Sequence, residues 1–184
     1  MKLRCGQHIV FIIQDGDTVL DISIRRDDHK LVELLLERYD RDGNNSKEFG
    51  DILLLEIDID PNKENKFGNT ALHCAVLYGF PDIVQLLLQR TAIVPNKTNK
   101  DGDTLLHSAV SGENIEIIKL LLENTNIYPN EQNELGNTPF DLAVEEERFK
   151  IVKLLLGKTC IDPTRVYKKT RTLEKEGNRK VKGP

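Results

Sequence analysis

Apolar residues in this chain recur in blocks at long intervals. Apart from a run at Leu53 to Leu55, four blocks of three consecutive leucines share one register, at Leu34 to Leu36, Leu86 to Leu88, Leu120 to Leu122 and Leu154 to Leu156. The last three blocks are preceded by a branched apolar pair: Ile83-Val84, Ile117-Ile118 and Ile151-Val152. Positions i, i+1, i+3, i+4 and i+5 cover a broad stripe of an α-helix, whereas a half-buried strand would alternate. Each block stands 18 residues after a glycine that opens a Gly-x-Thr turn, at Gly16, Gly68, Gly102 and Gly136. Glycine tolerates the positive φ of a tight turn, and a threonine hydroxyl accepts from the free N–H groups of a starting helix. Pro139 directly follows Thr138, where its missing N–H costs nothing. The pattern therefore predicts a turn, a first helix carrying the small residues Ala75, Ala109 and Ala143, a short connection, and a second, leucine-rich helix.

A second marker keeps the same register: Pro61, Pro95, Pro129 and Pro163 are spaced by 34 residues. The leucine-rich face of one unit has nothing to bury against within that unit. Stacking successive units buries it, at about 1.5–3 kcal/mol for each fully buried Leu or Ile. The first unit is irregular, since Gly16 and Gly68 lie 52 residues apart rather than 34. A polar stretch from Asp40 to Ser46 is expected to be a loop, and Ile52 to Leu55 predict an extra helix near 47–56. Ile9 to Ile13 predict an N-terminal cap within residues 1–14.

The repeat resembles the ankyrin repeat family, whose signature is Thr-Pro-Leu-His-x-Ala. Here it reads Thr70-Ala71-Leu72-His73-Cys74-Ala75, then Thr104-Leu105-Leu106-His107-Ser108-Ala109, then Thr138-Pro139-Phe140-Asp141-Leu142-Ala143. The likeness implies an all-α solenoid of four helix-turn-helix units with hairpin loops, the first unit enlarged by an extra helix. The expected organisation is a cap at 1–14, repeats at about 15–60, 61–97, 98–131 and 132–164, and a basic, flexible tail at 165–184. The family places glycine at the inter-helix turn. Gly79 follows it, while Asp27, Glu113 and Glu147 stand at the matching positions.

Composition narrows the class. Apolar residues make up 39% and charged residues 30%, enough for a core in a soluble chain. The longest apolar run, Ile9 to Ile13, is too short to cross a bilayer or to form the core of a secretory signal. Three widely spaced cysteines, Cys5, Cys74 and Cys160, argue against a disulfide framework and for a reducing, cytoplasmic setting. The net charge of −4 is uneven: residues 165–184 carry +6, leaving −10 for the remainder.

The chemistry-bearing residues are few. His73 and His107 are each followed by a nucleophile, Cys74 and Ser108, but neighbours on a helix point about 100° apart and cannot form a dyad alone. The family likeness implies instead that these histidines brace the turn between units, and that Asp21 and Asp141 do the same. Cys5, His8, His73 and Cys74 show no metal-ligand spacing, and no phosphate loop or nucleophile elbow occurs. No catalytic residue, cofactor or metal is expected. Asn62, eight residues after Leu54, is similar to the asparagine context that asparaginyl hydroxylases read in this family.

The resemblance implies that contact is made by the hairpin tips and the ends of the first helices, on the concave side of the stack. On the hairpins these are Lys66, Phe67, Asn69, Lys100, Asp101, Asp103, Glu134 and Leu135. On the helix ends they are Arg25, Arg26, Leu77, Tyr78, Ser111, Glu145 and Glu146. They run from basic through aromatic to acidic, the anatomy of a protein-binding patch. The expected function is a non-catalytic, monomeric protein-interaction module with an unidentified protein partner and no small-molecule substrate. One alternative is a host-directed effector or inhibitor of an intracellular microbe or virus acting through the same surface. Another is nucleic-acid or anionic-surface binding through the basic tail, though few aromatics and no Trp speak against nucleic acid.

Overall fold

The computed structural model describes residues 17–42, 59–124 and 126–158. The expected cap at 1–14, the extra helix near 47–56 and the tail at 165–184 lie outside them. The described residues form eight helices in four antiparallel pairs: α1 (Val19–Arg25) with α2 (His29–Asp42), α3 (Ala71–Tyr78) with α4 (Pro81–Leu88), α5 (Leu105–Ser111) with α6 (Ile115–Glu123), and α7 (Pro139–Glu145) with α8 (Phe149–Lys158). No strand occurs among the described residues. The first helices pack in one row, α1 on α3 on α5 on α7, and α2, α4 and α6 stack as a second row behind them. This is the all-helical solenoid that the repeat predicts.

Each first helix begins alike for one local reason. Thr18, Thr70, Thr104 and Thr138 are extended N-caps, and each forms a reciprocal capping box with the third helical residue, Asp21, His73, His107 and Asp141. Each first helix then ends at a residue in the left-handed region. That residue is Gly79 in the second unit, at φ +76°, and Asp27, Glu113 and Glu147 in the others, at φ +55° to +56°. A side chain there costs about 1–2 kcal/mol, so the stack rather than the local residue imposes the turn.

The core is one cluster running through the stack, filled by Leu20, Leu36, Leu72, Ile83, Leu87, Leu106, Ile118, Leu121 and Leu155, all at most 2% exposed. Of each leucine block, the middle residue of the later units is sealed, and Leu86 and Leu154 are half-buried. The start of the expected polar loop needs correction. α2 continues through Asp40 to Asp42, because Asp40 pairs with Arg90 at the end of α4 at 2.8 Å and so ties the last turn of α2 to the neighbouring unit.

Asparagines join the units at two levels. Asn62 donates to the Ala92 carbonyl at 2.7 Å and accepts from the Val94 N–H at 2.8 Å. One repeat later, Asn96 serves the Asn126 carbonyl and the Tyr128 N–H in the same way. Within each hairpin, Asn65, Asn99 and Asn133 each accept two backbone N–H bonds that close the turn. The hairpins also bond to each other, from Lys100 N–H to the Phe67 carbonyl and from Glu134 N–H to the Asp101 carbonyl, both at 3.1 Å. The fingers thus form a continuous edge.

Candidate interaction surface

The hairpins meet the C-terminal ends of the first helices where Arg25 pairs with Asp17 and where Asn137 donates to Glu145. At the tips, Phe67 is 56% exposed and Leu135 is 83% exposed, with the Lys66 ammonium 4.8 Å from the Phe67 ring centre. Lys100, Asp101 and Glu134 are exposed between them. At the helix ends, Leu77 and Tyr78 are about half exposed, and Tyr78 stacks on Phe80 with ring centres 6.2 Å apart. Arg25, Arg26, Ser111, Glu145 and Glu146 are exposed as well.

Several of these side chains are already held. Arg25 is ion-paired with the buried Asp17 and donates from Nε to the Tyr78 hydroxyl at 3.0 Å. The Tyr78 bond, followed by Asp17, raises the guanidinium pKa above its ordinary value, so Arg25 stays charged and fixed. It links the first unit to the second across the surface. At the other end, Arg148 bonds Glu146 at 2.6 Å, pairs with Glu113, and donates to the Ser111 carbonyl at 3.1 Å. Glu145 accepts from the Asn137 amide at 2.9 Å. Arg148 had no sequence signal, since it occupies neither a hairpin tip nor an inner helix end, whereas Asp17 stands at the position of Asn69 and Asp103 in the first unit.

Two expected contact residues need restating. Asn69 is buried at 8% exposure, because its N–H closes the hairpin onto Asn65 at 3.1 Å. It braces the finger and offers no surface. Asp103 is half-buried and accepts from the Asn133 amide of the next finger at 2.8 Å.

His73 and His107 are both fully buried. Nδ1 of His107 accepts from the Thr104 N–H at 3.1 Å and lies 2.9 Å from its hydroxyl. That leaves Nε2–H to donate to the Asn137 carbonyl of the next unit at 2.8 Å. His73 meets Thr70 in the same way, but its Nε2 has no partner at bonding distance, and the Asp103 carbonyl offsets only part of its burial. Asp21 and Asp141 accept from Thr18 and Thr138. A carboxylate has no proton to hand on, so it cannot supply the donor bond that His107 makes to a carbonyl. The Cys74 thiol is buried and pushed up by burial, far from a reactive thiolate. No cluster of three metal-ligating side chains occurs among the described residues, and no helix there is long and apolar enough to cross a membrane.

Burial lowers His73 to about 4 and lowers His107 in the same direction. The unfolded chain protonates near the ordinary value of 6.5, where the folded chain cannot. Stability is therefore expected to fall as pH drops from about 6.5 to about 4, by on the order of 3 kcal/mol for His73. Asp21 opposes this: burial raises its pKa, so the folded state holds its proton to higher pH and gains as pH falls. Urea unfolding of the wild type and His73→Asn at pH 7, 5.5 and 4.5 separates the two. The variant should show the shallower loss, and parallel pH profiles would remove His73 from the account.

A stack of helix pairs with bonded hairpins and capping boxes at a 34-residue period defines a repeat scaffold for protein–protein interaction. A family model described as ankyrin repeats (3 copies) matches residues 3–96, 44–133 and 92–166, and the chain belongs to the ankyrin repeat family. Among solved structures it is similar to the ankyrin repeat domain of Bcl-3, described as a unique member of the IkappaB protein family, with a TM-score of 0.66 and 25% identity. That match covers 80% of this chain, which spans 59% of the length of the Bcl-3 chain. In all, 420 solved chains match, so the likeness identifies the scaffold and not a partner. No curated protein sequence matches.

Proposed function

We propose that this chain binds a protein partner through the face built by its hairpin tips and first-helix ends, and performs no chemistry of its own. The observation that carries this reading is the exposure of Phe67, Leu77 and Tyr78 on that face, beside side chains fixed from within the protein. Exposed aromatics held in place lose little freedom on docking, and aromatic anchors ringed by polar residues supply most of the binding energy in such patches. Arg26, Lys66 and Lys100 on one side and Glu134, Glu145 and Glu146 on the other would orient the partner, more through association rate than through affinity.

The test is affinity capture from lysate with three baits: the intact chain, Phe67→Ala/Tyr78→Ala, and a chain ending at Thr164. The partner is expected to be lost with the double variant and kept with the shortened chain. Tyr78→Ala removes the Arg25 bond and the Phe80 stack, so a stability cost of about 1 kcal/mol is expected, small against the lost affinity. Capture that survives the double variant and disappears with the shortened chain would transfer the function to the basic segment. A double variant that no longer folds would show that this face is part of the core.

A further inference from the structure

Three joints link the four units, and each assembles the same four positions. Two are the finger asparagine of the later unit and the residue before the capping threonine of the earlier one. The others are the third residue of the earlier first helix and the fourth residue of the later one. At the first joint these are Asn65, Asp17, Asp21 and Cys74. The Asn65 amide donates to Asp17 at 3.5 Å and reaches the Cys74 sulfur at 3.8 Å, while the thiol lies against Asp21. At the last joint they are Asn133, Asp103, His107 and Leu142. Asn133 donates to Asp103 at 2.8 Å, and His107 Nε2 to the Asn137 carbonyl at 2.8 Å. At the middle joint they are Asn99, Asn69, His73 and Ser108, and three polar atoms there have no partner: Asn69 Oδ1, His73 Nε2 and Ser108 Oγ. Their residues are 8%, 0% and 5% exposed. Among the described residues the first joint leaves one such atom, Asp21 Oδ1, and the last joint none.

We propose that one buried water molecule sits at the middle joint and bridges His73 Nε2, Asn69 Oδ1 and Ser108 Oγ. The joint is closed around this place. On the finger side the Lys100 N–H meets the Phe67 carbonyl at 3.1 Å, and on the turn side the Asn114 amide meets the Val76 carbonyl at 3.3 Å. Buried polar atoms left dry lose their hydration with no return, so a site that holds three of them favours an occupant. Their chemistry selects it. His73 Nδ1 accepts from the Thr70 N–H, so Nε2 carries the proton and donates. Asn69 Oδ1 only accepts, and the Ser108 hydroxyl does either. The Nε2–H repels a cation and the amide oxygen repels an anion, whereas water answers a donor, an acceptor and a hydroxyl together. About three hydrogen bonds is the usual complement of a buried water. Room comes from Ser108, the shortest of the side chains at its position, where Cys74 and Leu142 stand at the other joints. The water then does for His73 what the Asn137 carbonyl does for His107, and the middle joint is held through solvent where the last is held directly.

A high-resolution crystal structure of the full chain tests the site directly. An ordered water is expected within about 2.7–3.2 Å of all three atoms. His73 Nε2 bonded straight to the Asp103 carbonyl, with no water between, would overturn the proposal. Nuclear Overhauser transfer from water reads the same site in solution, with His107 as the internal reference. The Cδ2–H of His73, which borders Nε2, should show a cross-peak to water, and that of His107 should show none. Ser108→Ala removes the one hydroxyl at the site that could relay such a signal by exchange, and the His73 cross-peak should remain. Ser108→Leu copies Leu142 and should abolish it. A His73 cross-peak that is absent from the wild type, lost with Ser108→Ala or kept in Ser108→Leu counts against the bound water. The crystallographic reading needs no variant, so it decides even if the bulk of Ser108→Leu prevents folding.

Discussion

Gly102→Ala is expected to destabilise the stack by about 2–5 kcal/mol, far more than an exposed turn residue ordinarily does. Two costs coincide. The backbone is left-handed at φ +73°, where any side chain costs about 1–2 kcal/mol. The new Cβ would also sit 2.7 Å from the Glu134 backbone nitrogen. Relieving that collision moves the next finger, which is held by the Glu134-to-Asp101 bond and by the Asn133 amide on Asp103; overpacking of this kind costs about 1–3 kcal/mol more. The displacement falls on the hairpin edge, so binding should weaken even at temperatures where the variant is folded. Chemical denaturation measures the first effect and binding at low temperature the second. A loss below about 1 kcal/mol would show that the fingers shift independently and carry no load between units.

The second large effect is Leu87→Ala, expected to cost about 2–5 kcal/mol. Leu87 is fully buried in α4, which packs against α3 in its own unit and against α2 and α6 on either side. The cavity therefore opens at a junction of three units. In a linear stack each unit leans only on its neighbours, so the loss should appear as faster amide exchange in α2, α4 and α6, with α8 changed least. Leu34→Ala serves as the comparison, since Leu34 also belongs to a leucine triplet yet is 53% exposed; its change should stay within about 0.5 kcal/mol. Equal losses at Leu87 and Leu34 would contradict the burial pattern on which the whole stack rests.

The repeat was legible because its determinants are local. Thr18, Thr70, Thr104 and Thr138, each two residues after a glycine, all cap the helix that follows. Asp27, Glu113 and Glu147 stand where the repeat calls for glycine, and the chain adopts positive φ at each of them. The surface was legible in outline only. Phe67, Leu77, Tyr78 and Leu135 are exposed, and their expected place on one contact side came from the family resemblance. Asn69 reads as one more polar residue at a finger tip, yet its N–H is drawn into the hairpin closure by Asn65. The ties of Arg25 to Tyr78 and of Arg148 to Glu113 connect residues 53 and 35 positions apart, a separation at which sequence carries no record of distance.

The amino-acid sequence alone determined the period, the helix starts, the leucine faces and the membership of one repeat class, because each follows from interactions within a few residues. The tertiary structure decided which residues of each face are sealed and which surface charges are already paired. It also decided that His107 reaches the next unit's carbonyl while His73 does not. Those outcomes depend on how closely one unit settles on the next. In a stack, that distance is set jointly by every layer and by no single residue.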